Sequence, residues 1–238
     1  MISVSPIPHT EPPRDCPLCP RLVALRHACQ AEHPDWWNAP VAAFGDADAW
    51  LGIIGLAPGK HGANRTGRPF TGDYAGDLLF ATLAKFGLSN DRYESDLGDG
   101  LALSGVVIIN SVKCLPPQNK PTPQEINTCR RFLTAQIAAL PRLRVFVALG
   151  RIAHDSFLRH WGHRLADHPF GHGAVHDLGE GRVLIDSYHC SRYNTNTGRL
   201  TAAMFEDVFC RAITLRSRME EGTGGASSPS DPRPQFSS

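Results

Sequence analysis

The chain has 238 residues, 42% of them hydrophobic, and its formal charge at neutral pH is +1. This length allows one good-sized hydrophobic core with a modest appendage. No apolar run approaches the ~18 residues of a membrane span, and residues 1–15 lack the basic start and apolar centre of a secretory signal. We therefore expect a cytoplasmic protein without membrane contact, in which any binding of nucleic acid comes from a local charged patch.

The period of the apolar residues predicts an alternation of helices and strands. A proline-rich arm, residues 1–14, precedes the first helix, for which Asp15 is the candidate N-cap. In chain order we predict a helix over 16–31, a strand over 50–54, a helix over 74–86, a strand over 105–110, a helix over 123–140, a strand over 144–149, a helix over 150–161, a strand over 183–186 and a helix over 200–218. This order predicts an α/β fold, a three-layer αβα sandwich around a central parallel sheet of about four strands.

Irregular segments separate these elements. Residues 33–48 carry Trp36 and Trp37, which either pack on the core or line a rim. Residues 219–238 are rich in glycine, serine and proline, and we expect a disordered tail there. The predicted organisation is an arm over 1–14, one domain over 15–218 and a tail over 219–238.

The longest polar segment, residues 55–73, directly follows the first predicted strand. It contains five glycines, Gly55, Gly59, Gly62, Gly67 and Gly72. Ligands bind at the carboxyl ends of strands in open α/β sheets, and loops of this length are uncommon unless they are functional or disordered. We place the active site here; the alternative is an irregular surface loop. The segment is no nucleotide-binding P-loop, because only three residues separate Gly55 from Gly59 and Pro58 removes one of the backbone N–H groups.

Two further polar segments, residues 110–121 and 187–199, also follow predicted strands. The carboxyl ends of parallel strands meet at one edge of a sheet, so the three segments should form one pocket. Asn110 ends an apolar strand, and its amide offers both a donor and an acceptor; it could instead cap a turn. Phe70 has polar neighbours that favour a place in the pocket over a place in the core.

The segments GLAPGKHGANRTGRPFTGD, NSVKCLPPQNKPTP and HCSRYNTNTGRL together resemble the motifs of the uracil-DNA glycosylase superfamily, specifically the family 5 (B-type) iron–sulfur enzymes. The resemblance runs from Cys16 to about Met204. It implies a uracil-DNA glycosylase-like domain and a monofunctional DNA repair enzyme that starts base excision repair. Such a hydrolase cleaves the N-glycosidic bond of uracil, and of other deaminated bases such as hypoxanthine, after flipping the base into a pocket.

The resemblance also implies the roles of pocket residues. Phe70 stacks on the base, Asn110 binds its edge, and His189 donates to its O2 as charge develops there. Gly55 and Ala57 border the base. Where better-known members of the superfamily have an acidic residue, this chain has Ala57 and Pro58, which cannot act as a base. We therefore assign the water-activating role to Asp73, with Asn64 and His61 in reserve; Asp73 could instead only cap the following helix.

The third motif implies a grip on the DNA backbone. Ser191 contacts the DNA, and the residues after it, Arg192 and Tyr193, pinch the backbone and push a side chain into the gap that the flipped base leaves. Cys190 stands in place of a family proline, and we expect a small buried substitution without a reactive thiol. A local positive patch would comprise Lys60, Arg65, Arg68, Lys120, Arg192 and Arg199.

Seven cysteines in a chain of this kind argue against a disulfide framework. By the resemblance, Cys16, Cys19, Cys114 and Cys129 bind a [4Fe–4S] cluster with a structural role. Four thiolates would also accept zinc, and spacing alone does not separate the two. We expect a monomer, associated with the nucleoid, whose partner is DNA that contains uracil or another deaminated base. The alternatives to a glycosylase are a non-catalytic iron–sulfur protein that binds nucleic acid and a redox sensor.

Overall fold

A six-stranded sheet forms the centre of the structure, a computed structural model that describes residues 10–224 of the chain. The strand order is β1-β3-β2-β4-β6-β5. Strands β3, β2, β4 and β6 pair in parallel, whereas β1 and β5 add short antiparallel edges. The strands are β1 (Phe44–Gly45), β2 (Leu51–Gly55), β3 (Val106–Asn110), β4 (Val145–Leu149), β5 (Val175–Asp177) and β6 (Val183–Ser187). The predicted fold class and the four parallel strands are confirmed, and the two edge strands were not predicted because they are too short to show an apolar pattern.

Seven helices flank or join these strands within the described residues. They are α1 (Pro20–Glu32), α2 (Ala63–Thr66), α3 (Tyr74–Lys85), α4 (Pro123–Ala138), α5 (Arg151–His160), α6 (Arg192–Asn196) and α7 (Ala202–Gly224). Single turns of 3₁₀ helix cover Pro117–Asn119 and Leu165–Asp167. None of the described helices has the length and apolar character that a membrane crossing requires.

Both ends of the chain differ from the prediction. Helix α1 begins at Pro20 with Cys19 as N-cap, so Asp15 does not cap it. The reason is Pro20 itself, since proline fits the first turn of a helix and marks its start. Helix α7 continues past the predicted end at residue 218 to Gly224. The rest of the predicted tail, residues 225–238, and residues 1–9 of the predicted arm lie outside the described part of the chain.

Alternating side chains of the parallel strands fill two separate cores, which makes the fold three-layered. Ile53 packs with α3 and α7 on one face of the sheet, and its neighbour Ile54 packs with α4 and α5 on the other. Strands β2, β3, β4 and β6 are buried at every position. This burial on both faces explains why the parallel strands are continuous apolar runs.

A buried polar network fastens α5 and β5 to β6. The carboxylate of Asp186 forms hydrogen bonds with His154 Nδ1 at 2.6 Å and His176 Nε2 at 2.8 Å, and it accepts the backbone N–H of Gly171 at 3.2 Å. His154 Nε2 donates to the carbonyl oxygen of His168 at 3.0 Å. Both ring nitrogens of His154 therefore contact oxygen atoms, which fixes the orientation of the buried ring.

Candidate functional site

A cavity of about 300 Å³ opens where β2 and β3 end and where the chain leaves β6. Its position follows from the parallel topology, because all three strands point their carboxyl ends to this edge. The three polar segments predicted to meet do meet here. The lining residues are Leu56, Ala57, Gly59, Ala63, Phe70, Asp73, Ala75, Asn110, Asn119, His189 and Ser191.

Asn110 supplies a free hydrogen-bonding group to this cavity. The residue is 3% exposed and stands at the end of β3, paired in register with Gly55 of β2. Its Oδ1 atom is buried and has no hydrogen-bond partner among the described residues. A side chain at Gly55 would overlap this oxygen and the ring of Phe70, so glycine is required there. A buried acceptor without a partner is costly, and a ligand with an N–H donor would satisfy it.

Phe70 lies in the cavity with a backbone conformation that phenylalanine rarely adopts. Its φ is +55°, in the left-handed region, and its side chain is 8% exposed. Such a conformation costs on the order of 1–3 kcal/mol and persists only where neighbouring structure enforces it. The Phe70 ring and the His189 ring are 6.2 Å apart between centroids and inclined by 26°. An aromatic face and an imidazole thus border the same space.

His189 is held as a neutral imidazole. Burial lowers the pKa of His189 to about 4, because the charged form loses its hydration. Within the described residues no hydrogen bond to its ring is found, whereas its carbonyl oxygen accepts one from Asn194 Nδ2 at 2.8 Å. The loop is therefore fixed through its backbone, and the ring nitrogens remain available to a ligand.

Asp73 caps a helix and faces the cavity at the same time. Its Oδ1 accepts the backbone N–H of Gly76 at 3.1 Å in the first turn of α3. Its Oδ2 points to the glycine-rich segment, where a side chain at Gly62 would lie 2.5 Å from it. Burial raises the pKa of Asp73 above its ordinary value, although the N–H groups of Gly76 and Ala75 oppose this. Capping and a role in the pocket, weighed as alternatives from the sequence, are compatible.

Asn64, in contrast, is not among the residues that line the cavity. It is 3% exposed in the short helix α2, and its Nδ2 donates to Asn38 Oδ1 at 2.9 Å. Asn38 in turn donates to the carbonyl oxygens of Cys29 and His33. The Asn64 amide thus links the glycine-rich segment to the end of α1. Ala57, which was predicted to border the base, does line the cavity.

Arg68 was predicted to contact DNA, and its position in the structure contradicts this. It is 6% exposed, and its guanidinium binds both carboxylate oxygens of Asp99, at 2.9 and 2.6 Å. Burial of Asp99 opposes its ionisation, but hydrogen bonds from Arg68 and from two backbone N–H groups lower its pKa to about 2. A guanidinium enclosed in this way cannot reach a phosphate. This pairing was not predictable from the sequence, because Asp99 lies 31 residues further along the chain, in the polar connection between α3 and β3.

Helix α6 directly follows the pocket residues of the third motif. Ser191, which lines the cavity, is its N-cap and accepts the backbone N–H of Asn194 at 3.4 Å. Arg192 is exposed, and the ring of Tyr193 is 73% exposed. An exposed aromatic residue two positions after a cavity-lining serine is available for contact with a macromolecule. The helix was predicted as a loop, although a serine at an N-cap position was a usable signal.

The other predicted cations differ in exposure. Arg65, Lys120 and Arg199 are exposed. Lys60 is half-buried and pairs with Glu32 at 2.9 Å. Cys190 is fully buried, and burial raises the pKa of its thiol, as expected for a residue that does not react. Of the six cations predicted for the patch, Arg65, Lys120, Arg192 and Arg199 are thus exposed.

Four cysteines surround a second, small cavity, between α1, α4 and the segment after β3. They are Cys16, Cys19, Cys114 and Cys129. Burial, followed by repulsion from the other sulfurs, raises the pKa of Cys19 to about 11 and that of Cys114 to about 12. Without a cation the protein thus disfavours the thiolate forms of Cys19 and Cys114. A bound metal centre would offset their charge, so this donor set is compatible with a metal cluster.

Further contacts hold the segments that carry these cysteines. The backbone N–H of Lys113 donates to Cys129 Sγ at 3.3 Å, and Arg26 binds the carbonyl oxygen of Cys16. Arg21 also joins α1 to Glu125 of α4, with two contacts of 2.8 and 2.7 Å.

Comparison with known proteins agrees with this geometry. The sequence profile of the Uracil DNA glycosylase superfamily matches residues 42–212. The chain is 50% identical over 205 residues to the Type-5 uracil-DNA glycosylase of Thermus thermophilus, covering 84% of this chain and 93% of the relative. It is 43% identical over 209 residues to the Type-5 uracil-DNA glycosylase of Mycobacterium bovis, covering 84% and 78%. A Type-4 uracil-DNA glycosylase of Thermotoga maritima is 32% identical over 170 residues, covering 71% and 79%.

Proposed function

The chain belongs to the uracil-DNA glycosylase superfamily, and from this premise we propose that it removes uracil from DNA by hydrolysing the N-glycosidic bond. The observation that carries the proposal is the unpartnered, buried Oδ1 of Asn110 in a cavity that Phe70 and His189 border. A pyrimidine with an N–H donor and carbonyl acceptors on its edge matches this set of groups.

In the proposed complex the flipped base stacks on Phe70. Asn110 accepts the N3–H of uracil through Oδ1 and donates to O4 through its amide nitrogen. Cytosine carries an amino group where uracil has O4, and its N3 carries no hydrogen. The amino group would therefore face the amide nitrogen of Asn110, donor against donor, and Asn110 Oδ1 would find no N–H to accept. This mismatch gives the pocket its discrimination against the normal base. We extend the proposal to other deaminated bases, such as hypoxanthine, which present the same N–H and carbonyl pair.

Bond cleavage leaves negative charge on the departing base and positive charge on the sugar. The neutral ring of His189 donates an N–H to uracil O2 and stabilises the first charge. The carboxylate of Asp73 stabilises the second charge and accepts a proton from the attacking water. Water adds to C1′ of the deoxyribose while the electrons of the C1′–N1 bond leave with uracil. Gly59 and Gly62 keep the space beside Asp73 Oδ2 free for this water.

The DNA contacts follow from the exposed groups around the cavity. Tyr193 enters the duplex where the base has left it, which offsets part of the unstacking cost of a few kcal/mol. Arg192, Arg65 and Arg199 contact phosphates. A single chain supplies every residue of this scheme, so we expect a monomer, working at the nucleoid where its substrate lies.

We infer further that the four cysteines bind an iron–sulfur cluster of the [4Fe–4S] type. Four thiolates that each bind a different iron form the ligand set of such a cluster, whereas four thiolates on a single ion would form a zinc site. When bound, the cluster would supply a cross-link between α1, α4 and the segment after β3.

Cluster content can be checked on protein purified without added metal. We expect about four iron atoms per chain, a visible absorption band that dithionite bleaches, and little zinc. Cys129→Ser should lose most of the iron and melt at a lower temperature, whereas Cys210→Ser should retain both, because Cys210 is exposed on α7. Stoichiometric zinc in wild-type protein, with no iron, would contradict the inference.

The activity is tested on duplex oligonucleotides that contain one uracil or one hypoxanthine. Wild-type protein should produce abasic sites, so that strands break only after alkali. Asn110→Ala should reduce uracil excision by about 10²–10³-fold, since a buried polar contact to the substrate is lost. If wild-type protein with an intact metal centre binds the duplexes but releases neither base, the proposed activity is wrong and a binding function replaces it.

A further inference from the structure

We propose that Tyr93 and the ion pair of Arg68 and Asp99 are positioning residues, which hold Phe70 in the orientation that stacks on the flipped base. The proposal rests on the proposed glycosylase function, which it deepens. We call residues 89–103 the clamp segment; it joins α3 to β3 and contains both Tyr93 and Asp99.

The hydroxyl of Tyr93 lies between two backbone groups of the turn that carries Phe70. It donates to the carbonyl oxygen of Phe70 at 3.2 Å and accepts the backbone N–H of Gly72 at 3.2 Å. Its ring packs on Phe80 of α3, with centroids 4.4 Å apart. The left-handed conformation of Phe70 keeps the Phe70 carbonyl and the Gly72 N–H out of helix and strand hydrogen bonding. The Tyr93 hydroxyl bonds to both groups instead.

The first turn of α3 supports the same carbonyl group from another side. A side chain at Gly76 would overlap the Phe70 carbonyl oxygen and lie 2.7 Å from the Tyr93 hydroxyl. Glycine therefore allows the helix backbone to approach the turn directly. The carbonyl of Phe70 is enclosed between α3 and Tyr93, which leaves the peptide little freedom to rotate.

Arg68 fixes the other end of this turn to the clamp segment. Besides its two bonds to Asp99, it donates to Thr71 Oγ1 at 2.7 Å and to the carbonyl oxygen of Asp96 at 2.8 Å. The side chain of Asp99 is fully buried in this pair. The turn 68–72 is therefore held at both ends by the clamp segment. None of the clamp residues named here is among those lining the cavity.

This arrangement separates two properties of the enzyme. Binding of the DNA backbone uses exposed cations and α6, of which Arg192, Arg199 and α6 lie outside the turn 68–72. Stacking on the base depends on the Phe70 ring, whose position the clamp determines. Loosening the clamp should therefore slow base removal and leave affinity for DNA without a base unchanged, because a misplacement of about 1 Å can cost up to ~100-fold in rate.

The test uses the full chain with Tyr93→Phe, which removes a single oxygen atom. In single-turnover excision of uracil from a duplex, we expect the maximal rate to fall between about tenfold and hundredfold. The enzyme concentration at half-maximal rate should stay within about twofold, as should the dissociation constant for a duplex with a tetrahydrofuran abasic analogue. A general loss of folded protein would not produce this division between rate and affinity.

Asp99→Asn serves as a second variant, because it breaks the pair with Arg68 without touching Tyr93, and we expect the same division. The matched control is Asp207→Asn, which breaks the exposed pair of Arg211 and Asp207 on α7 and should excise at the wild-type rate. The inference is overturned if wild type excises uracil and both clamp variants match its rate, or if they lose excision and abasic binding equally. A wild-type protein that excises no uracil overturns the proposed function instead.

Discussion

Asp73→Asn is expected to reduce uracil excision by about 10²–10⁴-fold while the protein stays as stable as wild type. Asparagine is as good an N-cap as aspartate, so the hydrogen bond to the Gly76 N–H can persist. The carboxylate that accepts the water proton and faces the sugar charge is lost. Single-turnover excision and chemical denaturation of the same preparation measure both properties.

The comparison with Asp73→Ala separates capping from catalysis. Alanine removes the cap as well, and the free energy of unfolding should fall by about 1 kcal/mol.

The pH dependence of excision supplies a further check, because only ionised Asp73 accepts the proton of the water. Excision by wild type should decline as pH falls through the pKa of Asp73, which burial places above its ordinary value. Equal rates for wild type and Asp73→Asn would show that this residue only caps α3.

Asp186→Ala should lower the free energy of unfolding by about 3–5 kcal/mol, the largest stability effect that we expect from a single substitution here. It removes three buried hydrogen bonds and leaves the ring nitrogens of His154 and His176 without their carboxylate partner. Denaturant unfolding, followed by circular dichroism, measures the loss. The Asp186 side chain does not line the cavity, so the excision rate of the folded protein is measured separately from its stability.

Asp177→Ala is the matched control for this network. Asp177 belongs to the neighbouring strand β5, is exposed and accepts one backbone N–H, that of Gly179 at 2.8 Å. Its loss should cost less than about 1 kcal/mol. Asp186→Asn should fall between the two, because an amide can keep part of these hydrogen bonds. Wild-type stability for Asp186→Ala would mean that the buried polar network contributes nothing to the stability of the fold.

The architecture was predictable because its signal is local. A parallel strand covered on both faces is a short apolar run, and four such runs predicted the four central strands. The same topology brought the three polar segments to one edge, where Asn110, Asp73 and His189 meet. The edge strands β1 and β5 and the short helices α2 and α6 have too few residues to repeat a pattern.

The burial and hydrogen-bond partners of individual polar side chains were not predictable, because they depend on residues far along the chain. Arg68 and Arg192 both stand in polar segments and look alike in sequence. Arg68 is enclosed by Asp99, 31 residues away, whereas Arg192 is exposed. Asn64 pairs with Asn38, 26 residues away. Contacts of this range are set by tertiary packing, which neither periodicity nor a motif encodes.

The order of the sulfur ligands along the chain has a consequence for synthesis on the ribosome. All four cysteines lie within the first 129 residues, together with β2, β3 and most of the glycine-rich pocket wall. His189 and β6 emerge much later, and domains fold from the amino-terminal side as they are made. A nascent chain that binds the proposed metal centre can therefore acquire it before the pocket is complete, so that loading with metal would precede the first encounter with damaged DNA.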